Sequence, residues 1–372
     1  MARSDSVTTP DSSATPTSQT PTDPPYADTP ATGDPSQSAL VQAARGRATP
    51  HTPVWFMRQA GRSLPEYRSL RQGTNMLETC ATPDLVTEIT LQPVRRHQVD
   101  AAILFSDIVV PLKAVGLDID IVAGTGPVVA EPIATRADLD RLPELTPEHV
   151  PYITDAIRSL VAELGPTPLI GFSGAPFTLA SYLIEGGPSK THQRTKALMH
   201  GDPELWRDLC ARLAQIARTF LQVQIDAGAS AVQLFDSWVG ALPRADYLRF
   251  VEPHSRAVLQ GVGDRVPRIH FGVGTGELLG DMAAAGTEVI GVDFRVSLTD
   301  AVQRTGGRHA VQGNLDPALL FAPWPVIEER VTQLVEEGRG APGHILNLGH
   351  GVLPDTDPTV LTRVVELVHS LG

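Results

Sequence analysis

Short apolar runs recur along most of this chain, separated by longer stretches of helical periodicity. The runs fall at 54–57, 101–105, 168–172, 231–235, 268–271, 289–294, 310–312 and 345–348. Most are continuously apolar rather than alternating, which fits strands covered on both faces, as in a parallel sheet. Between them, 83–96, 151–164, 203–227, 245–260, 277–285 and 326–337 carry helical patterns. Several of these open at Pro or Asp and close at a glycine, as at Gly165, Gly228 and Gly286. Eight alternations of strand and helix predict an α/β fold, a (β/α)8 TIM barrel built as a single domain. A doubly wound, Rossmann-like sheet is the alternative. The insertion at 113–131, with a turn at Gly124 and Gly126, predicts a small hairpin after the second strand.

The N-terminal segment breaks the pattern. It is rich in Ser, Thr and Pro, and Tyr26 is the one aromatic in the first forty residues. With so little to bury it cannot offset its own ordering entropy. The expected division is therefore a disordered tail at 1–47 and a barrel catalytic domain at 48–372. On this reading, deleting 1–40 leaves stability and turnover nearly unchanged. Arg3 is the only basic residue there and no apolar core follows, which does not suit a signal or transit peptide. No run approaches the roughly 20 apolar residues of a membrane span. Two widely separated cysteines, Cys80 and Cys210, suit a reducing cytoplasm and offer no thiolate cluster for a metal.

The formal charge is −12, which argues against general nucleic-acid binding. A third of it lies in the first forty residues, where Arg3 stands against Asp5, Asp11, Asp23, Asp28 and Asp34. A polyanionic ligand would need a local basic pocket within this acidic body. The barrel reading places functional groups just past the strand ends. Those positions carry Arg58-Gln59, Ser106-Asp107, Ser173-Gly174, Asp236-Ser237, Gly272, Asp293, Gly313-Asn314 and Gly349-His350.

Each of these has a functional and a structural reading. Arg58, Arg62, Arg68 and Arg71 crowd one loop without a lysine, beside Ala60 and Gly61. They form a fork set for carboxylates, or a solvated loop paired with Glu66 and Glu78. Asp107 ends an apolar run, so it is either a paired functional carboxylate or a helix cap. Tyr182 faces the mouth or the core. Ser237 is a hydrogen-bond donor without a nucleophile elbow. His350, between two glycines, faces the pocket or satisfies a turn. The Gly272-Val-Gly274-Thr-Gly276 stretch is a tight turn, since Glu277 occupies a position the dinucleotide fingerprint reserves for glycine. No metal-ligand spacing or nucleotide motif appears, so no cofactor is expected.

The motifs Met57-Arg-Gln-Ala-Gly-Arg62, Leu64-Pro-Glu-Tyr-Arg68, Leu104-Phe-Ser-Asp107, Gly171-Phe-Ser-Gly-Ala-Pro-Phe177, Gln312-Gly-Asn-Leu-Asp316 and Leu348-Gly-His-Gly351 together resemble the uroporphyrinogen decarboxylase family. The resemblance spans 52–371 in order. It implies a cofactor-free barrel, usually a homodimer with facing clefts, that turns uroporphyrinogen III into coproporphyrinogen III in heme-type tetrapyrrole synthesis. It further implies that Arg58, Gln59, Ala60, Gly61 and Arg62 clamp substrate carboxylates and that Asp107 meets the pyrrole N–H groups. Tyr182, Ser237 and His350 complete the contacts. Asp107 and Arg58 are the expected catalytic residues, with the proton-donating arginine left open. Nearby arginines are expected to outweigh burial and keep Asp107 ionised at neutral pH. Ser63 and Phe294 depart from the family pattern, where an aromatic and a tryptophan are usual. Two rivals remain. One is a corrinoid-dependent methyltransferase on the same barrel, disfavoured because His270-Phe271-Gly272 lacks the zinc-binding cysteine. The other is a non-catalytic tetrapyrrole-binding protein.

Overall fold

The structure, a computed structural model, describes residues 33–61 and 63–372. Arg62 and most of the expected tail lie outside the described residues. Seven parallel strands form one sheet in chain order: β1 (Ala102–Ile103), β4 (Leu169–Gly174), β5 (Ala231–Asp236), β6 (Arg268–Gly272), β7 (Val289–Gly291), β8 (Ala310–Gln312) and β9 (His344–Ile345). Between β1 and β4 the predicted hairpin is present as the antiparallel pair β2 (Ile119–Val122) and β3 (Gly126–Val129). Among the described residues no helix is long and apolar enough to cross a membrane.

The first stave differs from expectation. Val54 makes a single parallel bridge to Leu346 where a full strand was predicted over 54–57. Its neighbours complete the seam. Leu346 N–H donates to Pro53 O at 2.8 Å, Trp55 N–H to Leu346 O at 3.3 Å, and Asp100 N–H to Val54 O at 2.9 Å. The segment thus joins β9 to the lead-in of β1 and closes the curled sheet. It stays short because the chain turns at once: Gln59 N–H bonds Phe56 O at 2.9 Å, and Arg58 takes a left-handed φ of 62°. The helix predicted over 245–260 is likewise divided, into Arg244–Phe250 and Glu252–Gly261. Val251 leaves helical geometry, and Pro253, which has no N–H to give to a continuing helix, starts the second piece.

A polar layer crosses the otherwise apolar barrel interior. Trp55 Nε1 donates to Gln312 Oε1 at 3.0 Å, and Gln312 Nε2 donates to Gln233 Oε1 at 2.8 Å, all fully buried. Satisfied in this way, the amides tie the closing segment, β8 and β5 together without an orphaned polar group. The surrounding helices pin the strand ends. Gln224, on helix Pro203–Ala227, bonds both N–H and C=O of Phe172 at 2.8 and 2.9 Å. Thr90 Oγ1, on helix Pro83–His97, accepts Phe105 N–H at 3.0 Å and fixes the chain just before Asp107.

The expected tail boundary at 47 is corrected. Pro35–Gln37 form a 3-10 turn and Ala39–Ala44 an α-helix capped by Ser38. Leu40, Val41, Ala43 and Ala44 are buried. The helix lies on the backbone leading into β9, so closely that a side chain at Gly343 would overlap the Ala43 carbonyl. A single turn and a half is too short to show a period, and its Ser/Pro-rich setting hid it. It follows that Leu40→Ala removes a fully buried side chain and should cost about 2–5 kcal/mol. A lowered denaturant midpoint is expected. An unchanged midpoint would mean that the helix contributes nothing to the core.

Candidate active site

The mouth of the barrel is assembled by joining its first and last loops. Met57 N–H donates to the buried Asn347 Oδ1 at 2.9 Å, and Val352 N–H donates to Met57 O at 2.8 Å. This brings the Arg58 loop against the His350 loop. Glycines make the contact possible. A Cβ at Gly351 would collide with the aliphatic stem of Arg58, and one at Gly349 with the backbone of Phe294. The two glycines flanking His350 therefore serve close packing, and the Arg58 stem runs across the last loop towards the mouth.

Asp107 sits past the end of β1. Its Oδ1 accepts the N–H of Val109 at 3.0 Å, and its carbonyl accepts Val110 N–H at 3.1 Å, which starts helix Val110–Ala114. This contact closes a turn ahead of the helix and occupies one carboxylate oxygen; the helix itself has Val109 at its N-cap and no side-chain cap, so the capping alternative is not met. Among the described residues no ion pair ties Asp107 down. The side chain is enclosed by protein on most sides, with part of its surface open to the mouth. Burial pushes its pKa above the usual aspartate range, against the opposing pull of the Val109 N–H, the Arg58 charge and the Ile108 N–H. Among the described residues, then, the expected dominance of arginine over burial is not met: Arg58 lowers the pKa, but by less than burial raises it. Arg58 is exposed, so water screens its charge, whereas Asp107 has lost much of its own water.

Tyr182, on helix Pro176–Glu185, faces the same space. Burial, then the Asp107 charge, push its phenol up to about 12, while Arg58 pulls it down. The hydroxyl therefore keeps its proton and can act as a donor. The ring stacks on Trp238 with centroids 4.1 Å apart, and Trp238 follows Ser237 at the end of β5. Beneath them Thr178 Oγ1 donates to the fully buried Asp236 at 3.0 Å, which links Tyr182's helix to β5. Ser237 is half-buried at the rim, and the exposed His350 uses Nδ1 to accept the Gly351 N–H at 2.8 Å.

Other sequence candidates resolve differently. Gln59 is fully buried, accepting Phe56 N–H and donating to Ala101 O, both at 2.9 Å. Its side chain holds the Arg58 loop on the lead-in of β1 and does not reach the mouth, which leaves its backbone for the ligand contact that the resemblance implies. Ala60 is half-buried and Gly61 buried in the same loop. Arg68 donates to Pro354 O at 2.8 Å and Arg71 to Thr79 Oγ1 at 2.7 Å, so both brace the structure. Glu66 pairs with Arg96, at 2.6 and 2.8 Å, and among the described residues not with the loop's arginines. Arg62 lies outside the described residues. Gly274 N–H is taken by Asp293 at 2.6 Å, which confirms the 272–276 stretch as a turn. Both cysteines are buried with thiols pushed up, so neither is a ready thiolate.

A feature that linear spacing did not reveal lies at the opposite end of β1. His51, Asp100 and His369 bring their ligand atoms within 4.8 Å of one another. Linear spacing gives no sign of this grouping, because barrel closure gathers residues 49 and 269 positions apart.

A model of uroporphyrinogen decarboxylase, URO-D, matches residues 35–371. The chain belongs to the uroporphyrinogen decarboxylase family. The resemblance read from the motifs is thereby confirmed, and the family's reaction is that of a carboxy-lyase. A uroporphyrinogen decarboxylase of Salinispora tropica is 66% identical over 343 residues, covering 92% of each chain. That of Streptomyces griseus subsp. griseus is 66% identical over 333 residues, covering 89% of this chain and 91% of the relative. Among solved structures, a methyltransferase from Methanosarcina mazei superposes with a TM-score of 0.73 at 19% identity, covering 89% of this chain and 97% of the other. A B12-independent methionine synthase from Shewanella sp. W3-18-1 gives 0.52 at 9% identity, covering 77% and 87%. At such identities the likeness extends to the barrel alone. The methyltransferase rival therefore gains no support beyond the shared fold.

The position of Asp107 makes a stability prediction. An acid whose pKa rises on folding costs nothing below its unfolded value, near 3.9; the cost grows as pH rises from there and is complete above its folded value. Asp107→Asn keeps an acceptor for Val109 N–H and removes that cost. It should melt at the same or a higher temperature at neutral pH, with the difference disappearing in acid. A lower melting temperature at neutral pH would make the carboxylate a structural group.

Proposed function

We propose that this chain converts uroporphyrinogen III to coproporphyrinogen III, removing the carboxyl groups of its four acetate side chains as CO2 without an organic cofactor. The setting is heme-type tetrapyrrole synthesis in the cytoplasm, and the working form is a homodimer. The observation that carries the reading is the meeting of Asp107, Arg58 and Tyr182 at one mouth, in a chain of this family. Asp107 accepts the pyrrole N–H groups of the macrocycle and gathers them around one point. Arg58 grips acetate carboxylate through its planar fork, with Arg62 as the second member of the clamp. A guanidinium gives up a proton only with difficulty, so holding carboxylate is the role assigned to Arg58. Tyr182, Ser237 and His350 supply further polar contacts at the rim.

The reaction needs little more. Protonation of a pyrrole ring carbon leaves a cation shared with the ring nitrogen. The bond to CO2 then breaks and its electrons flow into the ring. A proton added to the exocyclic carbon yields the methyl group, and the ring carbon returns its own proton, so one proton is consumed for each CO2 released. Asp107 acts by charge: as an anion beside the ring nitrogens it stabilises the cation more than the neutral pyrrole. Substrate N–H donors favour that anion and counter the upward pull of burial.

The test is turnover of uroporphyrinogen to coproporphyrinogen with CO2 release, in Asp107→Asn and Asp107→Glu. Asn is nearly isosteric and neutral and should lose at least about two orders of magnitude in kcat, equivalent to roughly 2.7 kcal/mol. Glu keeps the charge and should retain partial activity. The wild-type kcat/KM should fall on acidification through a pKa above the ordinary aspartate range, and that acid limb should be missing in Asp107→Asn. Near-native turnover by the Asn variant would refute the role given to the carboxylate.

A further inference from the structure

The N-terminal face of the barrel carries a second polar centre. Asp100 lies just before β1, as Asp107 lies just after it, so one short strand separates the two. Asp100 Oδ1 is 2.6 Å from His51 Nε2, and Oδ2 is 2.9 Å from His369 Nε2. The Val54 N–H also donates to Oδ2, at 2.8 Å, and fixes the carboxylate plane. The imidazole rings approach edge to face, with centroids 4.5 Å apart. These residues come from three separate places: the segment entering the first stave, the lead-in of β1, and the last turn of helix Pro358–Ser370. Together they span the seam at which the sheet closes.

We infer that this cluster is a binding site for a divalent transition-metal ion of the zinc type, with His51, Asp100 and His369 as ligands. Two imidazole nitrogens and one carboxylate form a ligand set that suits Zn²⁺, with water in the fourth position. Ligands at zinc distances of about 2.0–2.2 Å in a tetrahedron stand roughly 3.3 Å apart. The two nitrogen–oxygen separations here fall short of that by well under an ångström. Both imidazoles aim Nε2 at the same carboxylate, and a single cation can replace the protons now shared along those contacts. The backbone N–H of Val54 supplies the outer hydrogen bond that orients a ligating carboxylate. Side-chain exposures of 27% for His51, 12% for Asp100 and 32% for His369 leave room for an ion and its water to arrive from solvent. At the N-terminal face such an ion fastens the closure seam, and it takes no part in chemistry at the opposite mouth.

The experiment uses the full chain, stripped with a chelator and titrated with Co²⁺ and, separately, Zn²⁺. Expected are visible Co²⁺ bands of low-symmetry nitrogen–oxygen coordination saturating at a single equivalent, a matching calorimetric stoichiometry for Zn²⁺, and a higher melting temperature with metal bound. Both signals should vanish in His51→Gln/His369→Gln, in which glutamine retains hydrogen-bonding capacity. Absence of saturable binding in the wild type would establish a proton-shared clasp and overturn the inference. Unchanged binding in the double variant would place the ion elsewhere and overturn it equally. Neither readout depends on decarboxylase activity, so the inference can fail while the proposed reaction stands.

Discussion

A carboxylate at the end of an apolar strand has given up much of its water, and the mouth of this barrel is organised around that loss. Asp107 recovers some hydrogen bonding from the Val109 N–H and some favourable potential from Arg58, yet burial still dominates and raises its pKa. A surface aspartate would already be well solvated and would gain little from a ring of N–H donors. Asp107, held short of donors, has more to gain from them. The fold thus stores a modest electrostatic deficit at the place where a ligand rich in N–H groups can relieve it.

The barrel's remaining devices keep that carboxylate and its neighbours in register. Thr90 holds the backbone at Phe105, two residues before Asp107. Gln59 anchors the Arg58 loop to Ala101 at the start of the same stave. Gly351 and Gly349 admit Arg58 and Phe294 to distances at which any side chain would intrude. Below them, the Trp55–Gln312–Gln233 chain ties the closing segment to two strands across the interior. Rigid elements therefore place Asp107, Tyr182 and the Arg58 backbone, while the Arg58 guanidinium extends to solvent, where a multiply charged ligand can reach it. This local arrangement reconciles an acidic protein with an anionic substrate.

The alternation of apolar runs and helical periods made most of the barrel legible. β4, β5 and β6 lie within a few residues of the predicted runs, the helix at Pro151–Leu164 has its predicted bounds, and the 113–131 insertion is the expected hairpin. The motifs also singled out Asp107, Arg58 and Tyr182, which the fold brings close enough to act on one another electrostatically. Motif reading fell short where three-dimensional context decides. Gln59 was expected in the clamp with its neighbours, but the turn at Arg58 swings its side chain inward, where it braces the loop. The charge balance at Asp107 could not be weighed without knowing that Arg58 is exposed. Helix Ala39–Ala44 gave no period, since its partner is the chain before β9, some three hundred residues away. The His51–Asp100–His369 cluster left no trace in spacing, because only closure of the barrel gathers it.

The central claim is that Asp107 is a carboxylate short of hydrogen-bond donors until the macrocycle arrives. The direct measurement is titration of the Asp107 carboxyl by carbon-13 NMR or difference infrared spectroscopy, assigned with Asp107→Asn, in the free protein and with coproporphyrinogen bound under reducing conditions. The account predicts a pKa above the ordinary aspartate range in the free protein and a clear fall on binding, as pyrrole N–H groups stabilise the anion. An ordinary pKa in the free protein, or one that stays put or rises on binding, would contradict it.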